Sequence, residues 1–200
     1  EAVLRTGQAT WDEGLLLFLE RMGFPEETYH TFSYSPVPND QGAVGGMLCV
    51  VTEDTERTIG ERRLRTLREL SARTTEETRS VEETCHLTAR ILNDNPHDVP
   101  FALLYLMDPS DRRASLAAFA GMERGGPASP ATVELGTELD AWSFEDVRTT
   151  GAALKVSDLS HKFGTLRAGA WPESVTHALV IPLSNPGQAR HAGFLVVGVS

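Results

Sequence analysis

The sequence has no long apolar run. Spanning a bilayer takes about 20 consecutive apolar residues, and the longest candidates in these 200 residues are GLLLFL, from Gly14, and GFLVVGV, from Gly193. Both read as strands or buried segments. The opening residues, EAVLRTGQATWDEG, lack the basic region and apolar stretch of a secretion signal and carry no initiator Met. A cytoplasmic piece of a longer chain is expected. Cysteine is scarce: Cys49 and Cys85 fall on separate elements, in no spacing that suits zinc or disulfide exchange. They read as buried free thiols in a reducing compartment. Basic charge is also in deficit, with 18 Lys and Arg against 28 Asp and Glu and a net charge of -10. That balance argues against nucleic acid or an anionic membrane as partner, since both need clustered cations. The basic cluster from Arg57 to Arg68 is interleaved with Glu61 and flanked by Glu56 and Glu69, and reads as a solvated helix face.

What is present falls into three stretches. In YHTFSYSP the alternation puts His30, Phe32 and Tyr34 on one face, Pro36 ends the run, and PNDQG supplies a turn before AVGGMLCVV returns. This predicts a hairpin. The segment before it, WDEGLLLFLERMGFPEE, is too short to complete a domain, so residues 1–52 read as the latter part of one. From Thr55 good helix formers take over, with a narrow apolar stripe at Ile59, Leu64, Leu67 and Leu70 and charges on the other faces. Such a helix either pairs with a second copy of itself or packs loosely on its own domain. Gly60 weakens its first turn.

A second pattern opens at SVEETCHLTARIL, where Ser80 and Glu83 make a capping box and Val81, Cys85, Thr88, Ala89 and Leu92 recur at helical spacing. FALLYLM and ASLAAFAG follow as an antiparallel pair of strands joined by DPSDRR. Gly and Pro fill residues 121–130, a short helix starts after Ser143 with Asp146 at the capping-box position, and AALKV is a strand. An irregular stretch from Ser157 to Val175 precedes two final strands, HALVIPL and HAGFLVVGVS, joined by SNPGQAR. The order predicts an α+β fold with one antiparallel sheet of about five strands.

These residues resemble two known families. ETYHTFSYSPVPNDQGAVGGMLCVVTEDTER is similar to the closing strands of a PAS domain, whose terminal D-x-T-E-R leads into a signalling helix; here Glu53 stands where that motif has Asp, followed by Asp54 and Thr55. Residues 78–200 look like a GAF domain, through FALLYLMDPSDRRASLAAFAG, WPESVTHALVIPL and GQARHAGFLVVGVS, without the helix that follows its last strand. The resemblance implies a PAS-like part at 1–52, a connector helix at 53–77 and a GAF-like domain at 78–200, as in the input region of bacterial multi-sensor histidine kinases. It further implies a downstream kinase domain in the parent chain; the narrow stripe at Leu64, Leu67 and Leu70 predicts a homodimer through the connector helix, and a small-molecule ligand is expected in the GAF-like domain. A phosphatase or a diguanylate cyclase is an alternative output, and a ligand-free structural interaction module is an alternative role.

Catalytic chemistry is mostly missing. His86, in CHLTAR, is followed by Leu87 and lacks the Glu and Pro of a phosphoacceptor box. HKFG, from His161, resembles the Asn-Lys-Phe signature of cyclic-nucleotide-binding GAF domains, but no Asp-Glu pair follows Phe163. Neither cysteine falls in the loops where GAF proteins attach a bilin or reduce methionine sulfoxide, so a redox enzyme is disfavoured. His161, His177 and His191 are too scattered to predict a metal site, and no Gly-x-Ser-x-Gly elbow selects a nucleophile. No cofactor is identified. Tyr105, Phe119, Trp142, Phe144 and Trp171 are the ligand-pocket candidates, with core packing as the other reading of the same residues.

Overall fold

Residues 2–73, 80–184 and 191–199 are described by the computed structural model, and the chain falls into two units, Glu1–Arg65 and Thr66–Ser200. Residues 74–77 of the expected connector and most of the SNPGQAR loop lie outside the described residues.

The first unit holds α1 (Ala2–Thr6), β1 (Thr10–Leu19), β2 (Glu26–Pro38) and β3 (Val44–Glu53), the strands forming an antiparallel sheet in the order β1-β2-β3. The expected hairpin is β2–β3, with Tyr34 opposite Cys49 and His30 opposite Glu53. Its turn is set by Asn39, whose Oδ1 accepts hydrogen bonds from the amides of Gln41 and Ala43. Two expectations need correcting. Pro36 does not end β2 but sits inside it, opposite Met47. Pairing with β1 stops at Tyr34, so beyond that point β2 has one bonded neighbour and tolerates a residue without an N–H. Cys49 is exposed rather than buried, because β3 is an edge strand whose face around this position is uncovered. Apolar side chains stand exposed on both faces of the sheet, Trp11, Phe18, Leu48 and Val50 on one and Leu15, Met47 and Val51 on the other.

The division between units falls inside α2 (Thr55–Arg73), which starts at the residue the sequence predicts. Its apolar stripe is split. Leu64 and Leu67 are more than half exposed, whereas Leu70 packs with Cys85, Leu92 and Leu104 of the second unit, to which it belongs.

The second unit contains α3 (Val81–Asn93), β4 (Ala102–Met107), β5 (Arg113–Ala120), β6 (Thr132–Glu134), α4 (Phe144–Thr150), β7 (Leu154–Val156), α5 (Leu159–Phe163), β8 (His177–Ser184) and β9 (His191–Val199). Ser80 caps α3 as expected: its Oγ accepts the Glu83 amide while the Glu83 carboxylate accepts the Ser80 amide. Val81, at the first helical position, is exposed, and the buried face is Cys85, Leu87, Ala89, Ile91 and Leu92. The sheet has six antiparallel strands in the order β6-β5-β4-β9-β8-β7, so the α+β expectation holds with one strand more. β6 was missed because its three residues are too few to show alternation, and α5 because five residues cannot show a helical period. Alternate residues of β4 serve opposite faces. Leu103 and Tyr105, with Phe101 just before the strand, enter one cluster beneath α4 and α5, and Ala102 and Leu104 enter another against α3. Both faces of the central strands are thus covered, and Tyr105, Trp142 and Phe144 lie on the α4–α5 side.

Candidate functional site

In the first unit the point where β3 becomes α2 is the most densely bonded polar region. Thr55 Oγ1 accepts the Tyr29 amide at 3.0 Å and donates to Glu53 Oε1 at 3.0 Å. The Asp54 amide donates to Tyr29 O at 2.7 Å, and Asp54 O accepts the Thr58 amide, the first helical bond of α2. Arg21 places two guanidinium nitrogens on the Glu53 carboxylate at 3.1 and 3.3 Å and reaches Glu26 as well. Thr31 Oγ1 donates to Asp54 Oδ2 at 2.6 Å, and Arg57 pairs with Asp54 Oδ1 at 3.4 Å. The two carboxylates that the sequence sets side by side therefore do different work, Glu53 tying the strand end to Arg21 and Asp54 tying the helix start to β2.

The charges follow this geometry. Arg21, then the Thr55 hydroxyl, holds the Glu53 carboxyl below the ordinary carboxylate range. The Thr31 hydroxyl, then Arg57, does the same for Asp54. Beside them His30 is nearly buried, its Nδ1 has no hydrogen-bond partner among the described residues, and its Nε2 lies 3.9 Å from Glu53 Oε2.

In the second unit the structure brings together three of the five aromatic candidates. Tyr105, Trp142 and Phe144 are all buried in one cluster. Phe144 stacks on Phe194 with ring centres 4.4 Å apart and meets Tyr105 at 5.1 Å, while Trp142 packs on Phe163 at 4.6 Å. Their polar ends bind one loop: Tyr105 Oη donates to Pro130 O at 2.9 Å and Trp142 Nε1 donates to Ala128 O at 2.8 Å. Burial pushes the Tyr105 hydroxyl well above its ordinary pKa, so it remains a donor. Phe119 lies elsewhere. A register shift opposite Leu104 and Tyr105 reverses the facing of β5, and Phe119 is 42% exposed beyond the cover of the cluster. Trp171 also stands apart, its Nε1 donating to His97 O at 2.9 Å and its ring meeting the His97 ring edge-on at 4.8 Å.

Among the described residues the space between the sheet and the α4–α5 segments holds the cluster of Phe101, Leu103, Tyr105, Trp142, Phe144 and Phe194. Among the described residues two open clefts lie at the periphery. One of about 610 Å³ lies between the β4–β5 turn and β6, at Asp108, Arg112, Glu134 and Thr137. The other, of about 300 Å³, lies at the β7–β9 edge, at Lys155, His177, Leu179 and Val199. None of the five aromatic candidates lines either cleft.

Other residues singled out in the sequence have structural surroundings. Phe163, the aromatic of HKFG, is the ring under Trp142, and Lys162 Nζ donates to Ala141 O at 3.1 Å. His86 is exposed on α3. His191 Nδ1 lies 2.6 Å from Ser184 Oγ across the β8–β9 pair. Cys85 is buried, and burial raises its thiol pKa. Residues that sequence reading missed include Asn95, discussed below, and Asp140. Ser143 does not cap α4: it sits at φ 58° with no side-chain cap bond. Asp140 does so instead, Oδ1 accepting the Phe144 amide and Oδ2 the Glu145 amide. An Asp a few residues before an apolar helix start was the available signal.

No protein-family model matches the chain, and no curated protein does. Among solved structures it is similar to the GAF domain of a phosphoenolpyruvate-protein phosphotransferase from Coxiella burnetii, at 17% identity over 70% of this chain and 78% of that one, TM-score 0.48. It is also similar to free methionine-R-sulfoxide reductase from Neisseria meningitidis in complex with its substrate, at 17% identity over 71% and 75%, TM-score 0.49. A third likeness is to the chromophore-binding domain of Stigmatella aurantiaca bacteriophytochrome, at 12% identity over 94% and 65%, TM-score 0.42.

Proposed function

We propose that this chain is a sensory and dimerisation region of a cytoplasmic signalling protein, a PAS-like part followed by a connector helix and a GAF-like domain, with a histidine kinase as the parent chain. The observation that carries the reading is the start of α2. A solvated helix begins at the end of a strand and is fixed there by Glu53, Asp54 and Thr55 to Arg21, Thr31 and the Tyr29 backbone. Those three residues open EDTER, the stretch that resembles the terminal D-x-T-E-R of PAS domains, with Glu53 in the place of its Asp. Output by a phosphatase or a diguanylate cyclase fits the same input region.

The connector helix is the dimer contact of this proposal. Leu64 and Leu67 remain exposed on it, and a second copy would cover them. In sedimentation equilibrium the wild-type chain should be a dimer and Leu67→Asp a monomer, since a buried unpaired charge costs several kcal/mol. A wild-type chain that is monomeric at high concentration rejects the dimer.

The GAF-like domain would take its ligand without covalent attachment, beneath the segments from Gly121 to Val175. Binding there requires the loop held by Tyr105 and Trp142 to open, so the Trp142 emission should change on binding and Trp142→Phe should remove part of that change. A specific observation favours a second reading, a ligand-free interaction module: Tyr105, Trp142 and Phe144 are 0–1% exposed and already pack one another. Reduction of free methionine sulfoxide needs an accessible thiol in this domain, and its cysteine, Cys85, is buried in α3. Purified chain should show no thiol-dependent activity of that kind.

A further inference from the structure

Two polar side chains are buried among the described residues of the second unit, Asn95 and Ser129. Ser129 serves its own loop, donating to Glu123 O. Asn95 does more. It follows α3 and is 4% exposed, and its Nδ2 donates both to Thr66 Oγ1 on α2, at 3.1 Å, and to Asp98 Oδ2, at 3.0 Å. Its Oδ1 accepts the Asp98 amide, and its backbone donates to Leu92 O and accepts the Val99 amide. One side chain therefore sets the shape of residues 95–99 and ties that shape to α2.

The same short segment is the anchor of a second loop. Pro96 O accepts the Ala170 amide at 3.1 Å, and His97 O accepts the Trp171 indole N–H. The loops are in close contact at Gly169, where an added Cβ would stand 2.6 Å from Pro96 O and 2.7 Å from Pro100 Cα. Farther along, Leu166 and Ala168 pack against the cluster that contains Trp142, and Leu166 O accepts the Val175 amide. A hydrogen-bonded path thus runs from α2 through Asn95 to the loop that covers the aromatic cluster.

We infer that Asn95 is a positioning residue that couples α2 to the Trp171 loop, so that a displacement of α2 at Thr66 is felt as a change in the cover over the core. Without the Thr66 hydroxyl, one Asn95 N–H is left in a nearly buried site with no acceptor from α2, and the amide relieves this by turning and releasing residues 95–99. Linkage requires the reverse as well: whatever moves the Trp171 loop alters the hold on α2. The significance of the path rests on α2 being the signalling connector proposed above, but the coupling is measurable with neither ligand nor dimer.

The chain labelled with 5-fluorotryptophan has three fluorine positions, at Trp11, Trp142 and Trp171, which Trp→Phe variants assign. Thr66→Val, which keeps the β-branch and loses the hydroxyl, should shift or broaden the Trp171 resonance most, move Trp142 less and leave Trp11 in place. Exchange of the Trp171 indole N–H should become roughly 5- to 30-fold faster, the factor that corresponds to one or two kcal/mol. Thr66→Ser should behave as wild type. Asn95→Ala should reproduce the Trp171 change, and adding Thr66→Val to it should change nothing further, because the two side chains act through one bond. A Trp171 signal untouched by Thr66→Val, an equal shift at Trp142, or additive effects in the double variant would overturn the coupling. A failed ligand screen or a monomeric chain would leave it standing.

Discussion

Arg62 of α2 holds Glu27 of β2 through two hydrogen bonds of 2.6 and 3.2 Å, with the two side chains only 17% and 16% exposed. Tyr29 Oη donates to the same carboxylate at 2.7 Å, so a strand residue and a helix residue share one acceptor. Shielded, bidentate and joined by a third group, this pair differs from the solvated ion pairs elsewhere on α2, such as Arg57 with Glu61. Arg62→Ala should destabilise the first unit by about 2 kcal/mol in chemical denaturation, the scale of a hydrogen bond to a charged group. Arg62→Lys should recover only part of that, since an ammonium cannot make the forked contact. Equal stability of the Lys variant and wild type would show that charge alone matters.

The helix start should be acid-sensitive. Glu53 and Asp54 both have carboxyl groups held below their ordinary values of 4.5 and 3.8 by partners present only in the fold. Lowered folded values mean that their stabilisation is complete above those ordinary values and disappears as pH falls through the folded ones. Unfolding followed from pH 6 downward should therefore steepen below about pH 4, and Arg21→Ala should flatten the Glu53 part of that loss. An unchanged slope in Arg21→Ala would remove Arg21 as the cause.

At α4 the residue that looks like a cap and the residue that caps are different, and substitutions should separate them. Ser143→Gly removes a side chain from left-handed backbone and should stabilise the second unit by about 1 kcal/mol. Asp140→Ala removes the acceptor of two helix amides and should cost about 1–2 kcal/mol. Urea midpoints moving the other way round would reinstate Ser143.

Gly60 lies inside α2, and a Cβ added there meets nothing within 4 Å. Gly60→Ala should therefore stabilise the helix by about 1 kcal/mol, the propensity difference alone. Circular dichroism on heating reads this directly. A loss of stability would mean that the open space around Gly60 is needed by a partner.

Much of the fold was legible where local chemistry dominates. The Ser80–Glu83 box, the β2–β3 hairpin, the start of α2 at Thr55 and the four longer strands of the second unit follow from caps, turns and alternation. What was illegible depends on neighbours distant in sequence. Pro36 is tolerated in β2 because β1 stops pairing at Tyr34, and Phe119, although opposite the buried Leu103, is exposed because the cover of the cluster does not reach it. The aromatic candidates illustrate the same limit. Alternation places Tyr105 on an inward face, but only the packed structure shows that Trp142 and Phe144 join it and Trp171 does not. Leu70 reads as one more member of a dimer stripe, although Cys85 and Leu92 already cover it.

The central pair of the large sheet, β4 and β9, joins segments far apart in the sequence, with Ala102 beside Val197. During synthesis β4 and β5 emerge early and can pair at once, but the other edge of β4 must wait for residues 191–199. Until then β4 and β8 each present a bare hydrogen-bonding edge, and β4 also carries apolar side chains on both faces, the kind of surface that invites pairing with another chain. This unit cannot be completed from its N-terminus onward, so a ribosome stalled before His191 should hold an open, aggregation-prone sheet rather than a smaller version of the finished one.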